Sequence, residues 1–223
     1  MQDLVKQEQF ELEVLDRLNS KKMLNNLIFT GGTMLRLCFG LDRFSVDLDF
    51  WLKKNIDTGK FFVALRDYLT EFYTLNDSAD KFNTLLFELK SKAYPRSLKI
   101  EIRKEVKKIQ TENAIAFSKY SNSQVFLNVP TLQEIMKAKI ETFLSRKEIR
   151  DVFDIEFLLK KGINLDISAG VLKEFLKNIE SFTEKDYTVK LGSLLEQKER
   201  EYYCRANFKI LKLAVNDKIN AAK

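Results

Sequence analysis

The chain has 223 residues, of which 45% are hydrophobic and 18 are Phe, enough for one large or two small packed domains. It contains no His. This excludes a Ser-His-Asp triad, a Cys-His dyad, an HExxH metal site and any acid–base step by His. Cys38 and Cys204 lie far apart and in no CxxC motif, which argues against a zinc site and a disulfide framework. An enzyme of this composition must rely on carboxylates, lysines and a metal.

The net charge of +6 favours a polyanionic partner without identifying one, because 38 basic residues are interspersed with 32 acidic ones. No apolar run approaches the roughly 20 residues that a membrane span requires. The N-terminal stretch MQDLVKQEQFELEVL is charged throughout and does not resemble a signal peptide. We therefore expect a cytoplasmic protein that contains no membrane span.

The first predicted elements alternate between helix and strand. An amphipathic helix is predicted at QEQFELEVLDRLNS, a strand and turn at LIFTGG, and a helix at TMLRLCFG that ends at Gly40. A strand at DLDFWL and a helix at DTGKFFVALRDYLTEFY follow. Alternation in KFNTLLFELKSK and SLKIEIRKEV predicts two antiparallel strands joined near Pro95.

Beyond NVPTLQEI the pattern becomes helical, with a helix entry at Pro130 and Thr131, a stop at Gly162 and about three further helices. We therefore predict an α+β fold in which residues 1–129 form a core with a mixed sheet. Residues 130–223 are predicted to form a helical domain that completes the site.

Two glycines head the stretch TGGTMLRLCFGLDRFSVDLDF. Gly31 and Gly32 have no side chains to block a ligand, and they lead into a helix predicted near Thr33, whose free N–H groups favour phosphate. Taken alone, a Gly-Gly-Thr turn is more often a simple strand-to-helix connection.

Two aspartates end the same stretch. On a strand, Asp47 and Asp49 project from one face, and Leu48 and Phe50 project from the other. Like charges on a half-buried strand are costly without a counter-ion, and Mg²⁺ completed by a substrate phosphate would supply one. The alternative, since a lone DxD is common, is exposed polar surface.

A second alternating segment, SLKIEIRKE, places Lys99, Glu101 and Arg103 on one face. Glu101 is the candidate third carboxylate, which would complete the metal site or accept the proton of an attacking hydroxyl. Lys99 or Arg103 could offset the local negative charge. The competing interpretation is an amphipathic strand with a solvated charged face.

A third segment, KAKIETFLSRKEIRDVFD, is predicted to form one helix. With a rotation of about 100° per residue, four of its charged side chains fall on one stripe that is roughly 80° wide. Three of the four are cations that could bind a triphosphate. The stripe contains Lys139, Arg146, Arg150 and Asp154, with Asp151 somewhat round the side. The alternative is a solvated helix face with ion pairs such as Arg150 with Asp154.

The remaining lysines and phenylalanines are predicted to have structural roles only. Lys107 and Lys108 are expected on the solvated surface. Four phenylalanines are expected in the core: Phe61, Phe62, Phe82 and Phe87. No aromatic signature of base stacking is apparent.

The three motifs, in this order, resemble the nucleotidyltransferases of the AbiEii/AbiGii abortive-infection toxin family. The segments are FTGGTMLRLCFGLDRFSVDLDF, LKIEI and KAKIETFLSRKEIRDVFDIEFLL, and the resemblance spans residues 28–159. It implies a DNA polymerase β-like nucleotidyltransferase core with a helical C-terminal part. It also implies two Mg²⁺ ions and a nucleoside triphosphate as substrate.

The resemblance also implies roles for individual residues. Metal ligands would be Asp47, Asp49 and Glu101. Residues that bind the nucleotide would be Gly31, Gly32, Thr33, Arg43, Ser45, Lys139, Arg146, Arg150 and Asp151. Lys139 and Asp154 would form the essential pair of the third motif.

Family members usually act as the toxin of a type IV toxin–antitoxin pair, and related toxins add nucleotides to tRNA ends. The resemblance therefore implies an RNA or tRNA acceptor and an antitoxin encoded elsewhere, although some relatives could use protein hydroxyls instead. The alternative function is a nucleotide- or RNA-binding module that has kept the fold and lost catalysis.

Overall fold

The computed structural model describes residues 1–221. It divides into two compact units, Met1–Pro130 and a second that begins at Thr131. The first combines a mixed sheet with helices and the second is helical, which confirms the predicted α+β class. None of the helices among residues 1–221 combines the length and apolarity that a membrane crossing requires.

The first unit is built on a five-stranded sheet with the order β1-β2-β5-β4-β3. The strands are β1 (Leu27–Thr30), β2 (Asp47–Leu52), β3 (Thr74–Asp80), β4 (Thr84–Lys90) and β5 (Leu98–Val106). The central pair β2 and β5 is parallel, and every other pair in this sheet is antiparallel. The sheet is therefore mixed, as predicted.

Three helices pack with this sheet: α1 (Gln2–Ser20), α2 (Gly31–Phe39) and α3 (Thr58–Thr70). Asp57 caps α3 by accepting a hydrogen bond from the Lys60 N–H at 3.0 Å, and Gly40 ends α2 in the left-handed conformation at φ 78°. The apolar face of the sheet carries Leu48, Ile100 and Phe87 in register, all fully buried. The opposite face is left for polar side chains.

Three strands of this unit were not predicted. β3 is polar and mostly exposed, and it is stabilised by its pairing with β4 rather than by apolar burial. A small second sheet joins β6 (Thr111–Ala116) and β7 (Val125–Pro130) in antiparallel register. Ala116 and Val125 are buried on its inner face.

The second unit contains α4 (Leu132–Arg146), α5 (Ile149–Lys160), α6 (Ala169–Glu180), α7 (Gln197–Ala206) and α8 (Lys209–Ala221). The prediction of one continuous helix through the third motif is wrong. Lys147 adopts the left-handed conformation, at φ 54° and ψ 39°, and ends α4 two residues before α5 begins. The third motif therefore occupies two helices, whose side chains meet across the break.

Candidate active site

Strand β2 separates apolar from acidic side chains, as its alternation predicts. Leu48 and Phe50 are at most 1% exposed, whereas Asp47 and Asp49 are only partly buried. Because β2 and β5 are parallel and in register, Asp49 lies opposite Glu101 and Asp47 lies opposite Lys99. One face of the central strand pair therefore carries three carboxylates and a lysine.

The turn between β1 and α2 packs directly onto Asp49. Gly31 adopts a φ of 80°, in the region that favours glycine, and a Cβ built there would lie 3.0 Å from the Asp49 Cβ and against its carboxylate. Thr30, the residue before the turn, is the β-sheet partner of Asp49. The backbone of the turn and the carboxylate are thus held together without a side chain between them.

Gly32 makes room for two further side chains that the sequence assigned to nucleotide binding. A Cβ built on Gly32 would lie 2.9 Å from the Ser45 Oγ and 3.1 Å from the Arg43 Cζ. Arg43 is only 4% exposed, and its guanidinium donates to the Phe44 carbonyl at 3.0 Å. The structure therefore brings Arg43 and Ser45 to the glycine turn.

The side chain of Thr33 is buried, whereas a side chain that contacts phosphate needs to reach the surface of the site. Its side chain is fully buried, and its hydroxyl donates to the Asp47 carbonyl at 2.6 Å. This bond ties the first turn of α2 to the start of β2. Thr33 thus positions the backbone at Asp47.

Glu101 is partly exposed, and its Oε1 lies 3.6 Å from the Lys99 Nζ, so a neighbouring cation offsets its charge as expected. Among residues 1–221, no group of three or more His, Cys, Asp or Glu side chains is gathered as a metal-binding cluster. The donor set nevertheless fits Mg²⁺, which usually takes one or two protein carboxylates together with water and substrate phosphate oxygens. Asp47 and Asp49 satisfy that requirement.

In the second unit, Lys139 lies in a buried ion-pair cluster. Its Nζ lies 2.6 Å from the Asp154 carboxylate and 3.2 Å from that of Asp151, and both aspartates have fully buried side chains. Arg146 closes the cluster from α4, because its Nε and a terminal nitrogen donate to Asp151 at 2.7 and 2.8 Å. The hydrogen bond to Asp151 holds the pKa of Arg146 above its usual value.

This cluster differs from the predicted stripe of cations. Asp151, expected at the side of the stripe, joins α4 to α5 by pairing with both Lys139 and Arg146. The Lys139 side chain is only 12% exposed. Arg150 follows the break, is half-buried, and lies at the start of α5. The cluster thus joins α4 to α5 through two buried carboxylates and is not a row of solvated cations.

Sequence reasoning missed an acidic residue close to the first site. Glu11 on α1 is fully buried, and neither carboxylate oxygen has a hydrogen-bond partner among residues 1–221. Burial, then the charge of Glu8, raises the pKa of Glu11 well above its usual value, and Asp47 adds to that rise. The signal was a polar residue within the apolar stripe of an amphipathic helix.

Comparison with known proteins places this geometry in context. The model of the family described as "Nucleotidyl transferase AbiEii toxin, Type IV TA system" matches residues 13–211. A candidate nucleotidyltransferase from Helicobacter pylori has a crystal structure similar to this chain, with a TM-score of 0.58, 22% identity, and coverage of 96% of this chain and 97% of that one.

The Helicobacter pylori protein JHP933 is also similar, with a TM-score of 0.54, 22% identity and coverage of 96% of each chain. At this identity both likenesses concern the fold. No curated protein sequence matches this chain. The family model covers most of the chain, including all three motifs, and the chain therefore belongs to the AbiEii family of nucleotidyl transferase toxins of type IV toxin–antitoxin systems.

Proposed function

We propose that the protein transfers a nucleoside monophosphate from a nucleoside triphosphate to an acceptor hydroxyl, with RNA, and tRNA in particular, as the acceptor. The observation that carries this proposal is the packing of the Gly31 turn against the carboxylate of Asp49. A phosphate-binding backbone and a metal-binding carboxylate are useful together when one ligand carries both phosphate and metal.

Asp47 and Asp49 would hold Mg²⁺, with two ions as the family resemblance implies. Bound metal would neutralise charge on the phosphates and so favour displacement at phosphorus. Thr33 fixes the carbonyl of Asp47, and the turn at Gly31 fixes the carboxylate of Asp49. The chain therefore restricts the backbone at Asp47 and the side chain of Asp49 before a nucleotide arrives.

In the proposed reaction the acceptor oxygen forms a bond to the α-phosphorus while the bond from that phosphorus to the bridging oxygen breaks. The electron pair leaves with pyrophosphate, and the hydroxyl proton must be removed. Since two aspartates suffice for the metal, we assign Glu101 to accept that proton. Ser45 and the N–H groups of the glycine turn would contact phosphate oxygens, beside Arg43.

Within the second unit, two buried carboxylates hold Lys139 in one position, and we assign Lys139 to the nucleotide phosphates as the family resemblance implies. A lysine restricted in this way presents its charge at little further entropic cost. Arg146 is half exposed at its side chain and, with Arg150, supplies additional positive charge for phosphate. Asp151 serves to orient Lys139 and Arg146, and Asp154 serves to orient Lys139.

As a member of a toxin family, the protein is proposed to inhibit growth by modifying its acceptor, and an antitoxin encoded elsewhere would oppose it. A protein hydroxyl as acceptor would redirect the substrate class while keeping the chemistry.

The test is incubation of purified protein with each NTP, labelled either at the α- or at the γ-phosphate, with Mg²⁺ and with total RNA or cell lysate. Transfer of NMP predicts that RNA retains the α-label and never the γ-label, and that EDTA abolishes the reaction. Retained γ-label would indicate phosphoryl transfer and refute the proposal. Nucleotide-dependent thermal stabilisation without any labelled product would instead support the catalytically inactive binding module.

A further inference from the structure

One end of the five-stranded sheet is strongly basic. The segments that meet there are residues 51–54 at the end of β2, residues 80–84 at the turn between β3 and β4, and residues 103–108 at the end of β5. They contain seven cationic and two acidic residues, a net charge of +5 against +6 for the whole chain. The cations are Lys53, Lys54, Lys81, Arg103, Lys104, Lys107 and Lys108. We refer to this set as the basic rim.

Contacts of the described residues hold the rim together. Arg103 is the sheet partner of both Trp51 and Thr84, and the Lys104 N–H donates to the Asn83 carbonyl at 3.0 Å. The Lys107 ammonium lies 4.8 Å from the centroid of the Trp51 ring, which it covers. Of the two acids, Asp80 is paired with Lys104, and Glu105 is exposed. Most of the positive charge is therefore available to a ligand.

An aromatic ring stands beside these charges. Phe82, at the turn between β3 and β4, is 93% exposed, so the expectation that it belongs to the core is wrong. Phe87, three residues into β4, is fully buried and stacks on Phe62, as expected. A Phe that is 93% exposed on a three-residue turn contributes nothing to the core. Its ring is therefore available to contact a ligand.

The rim adjoins the proposed active site along the sheet. Trp51 and Arg103 lie two residues beyond Asp49 and Glu101 on the same strands and the same face. At about 3.3 Å per residue, the rim begins roughly 7 Å from the row of carboxylates. A chain held on the rim could therefore present its end at that row.

We propose that the basic rim and Phe82 form the docking surface for single-stranded RNA, and so hold the acceptor strand next to Asp49. This inference rests on the proposed function for the identity of the bound strand as acceptor. Cations that follow a phosphate backbone, combined with an exposed ring that stacks an unpaired base, are the usual means of binding single strands. A duplex offers no unstacked base to such a ring.

The test measures binding alone, without NTP or Mg²⁺, so that its outcome does not depend on transfer. A fluorescent single-stranded RNA of about 12 nucleotides is titrated with full-length protein at several salt concentrations, and its anisotropy is recorded. The variants are Phe82→Ala and the triple variant Lys53→Gln, Lys54→Gln, Lys108→Gln. All four side chains are exposed, so thermal unfolding should be unchanged.

The triple variant should reduce the slope of log affinity against log salt by about 2, since each phosphate contact contributes about 0.7 for a single strand. Phe82→Ala should weaken binding roughly ten-fold at fixed salt and leave the slope intact. On an abasic oligonucleotide, wild type and Phe82→Ala should bind equally.

Matched controls are Phe126→Ala, which removes a 61% exposed ring elsewhere in the first unit, and the triple variant Lys6→Gln, Lys22→Gln, Lys92→Gln, with the same charge change. Both should bind within about two-fold of wild type. Equal effects of rim and control variants would overturn the inference, as would tighter binding of an acidic peptide or of duplex RNA. If rim variants lose binding while wild type transfers no nucleotide, the docking surface stands and the proposed function fails.

Discussion

Gly32→Ala tests whether the close packing of Arg43 and Ser45 requires a glycine at position 32. Gly32 is the second residue of α2 and does not have a positive φ, so its backbone accepts Ala without strain. The added methyl would lie 2.9 Å from the Ser45 Oγ and 3.1 Å from the Arg43 Cζ. Arg43 is 4% exposed, so the Arg43 and Ser45 side chains must shift within a packed environment to admit the methyl.

Overpacking of this kind costs about 1–3 kcal/mol, and the change from Gly to Ala in a helix returns roughly 1 kcal/mol. The expected net loss is about 1 kcal/mol, or a fall in Tm of roughly 2–4 °C for a chain of this size. Displacement of Ser45 and Arg43 by a fraction of an ångström should reduce transfer about 10- to 100-fold, because a misplacement of 1 Å costs about 100-fold.

Gly59→Ala is the matched control, since Gly59 is also the second residue of its helix, α3, and a Cβ there would meet only the Asp57 Oδ1 at 3.6 Å. It should raise Tm slightly and leave transfer unchanged. Differential scanning fluorimetry and the labelled-NTP assay measure both effects. A Gly32→Ala protein as stable and active as Gly59→Ala would refute the claim that Arg43 and Ser45 require a glycine.

Three further predictions concern charge and backbone strain. Asp151→Asn should destabilise the protein by about 3 kcal/mol, because it removes a carboxylate from the buried ion pair with Lys139, and unchanged urea unfolding would contradict this. Burial raises the pKa of Glu11 above its usual 4.5, so the folded state holds a proton that the unfolded state releases. Stability should fall as pH rises from about 4.5 toward the folded pKa, by up to about 1.4 kcal/mol per pH unit. Glu11→Gln should remove that slope, and an unaltered pH profile of unfolding would show that Glu11 is charged. Lys147→Gly should stabilise the protein by about 1 kcal/mol, because Gly adopts the left-handed conformation of residue 147 without strain. Lys137→Gly, inside α4, should destabilise it by a similar amount. Changes in Tm of the same sign for both variants would refute this prediction.

The glycine turn and the aspartate pair of the first motif could be predicted because their sequence signals are local. Alternation along β2 alone places Asp47 and Asp49 opposite Leu48, and the burial of that strand follows the same period. The two glycines likewise indicate that another group lies close to the backbone of the turn, but the sequence does not identify that group. That Asp49 lies over Gly31 depends on the pairing of β1 with β2, which the sequence does not specify.

Other features depend on contacts that local patterns do not encode. The break at Lys147 has no glycine, so nothing in the third motif indicated two helices, and the buried position of Asp151 follows from that break. β3 carries a polar sequence that acquires its strand conformation by pairing with β4. Phe82 was expected in the core on residue type alone, and only the three-residue turn explains its exposure.

The most direct test of the central claim is the rate of labelled NMP transfer by Asp49→Asn. Asn keeps the size of the side chain packed on Gly31 and removes the charge that a metal requires. Asp42→Asn is the matched control, because Asp42 is an exposed aspartate in the loop before β2. Changes that only reorient metal ligands cost 10–100-fold, so loss of a ligand should exceed about 100-fold. We predict that Asp49→Asn loses transfer while its Tm and the activity of Asp42→Asn stay near wild type. Transfer by Asp49→Asn at the wild-type rate would show that Asp49 holds no metal needed for the reaction.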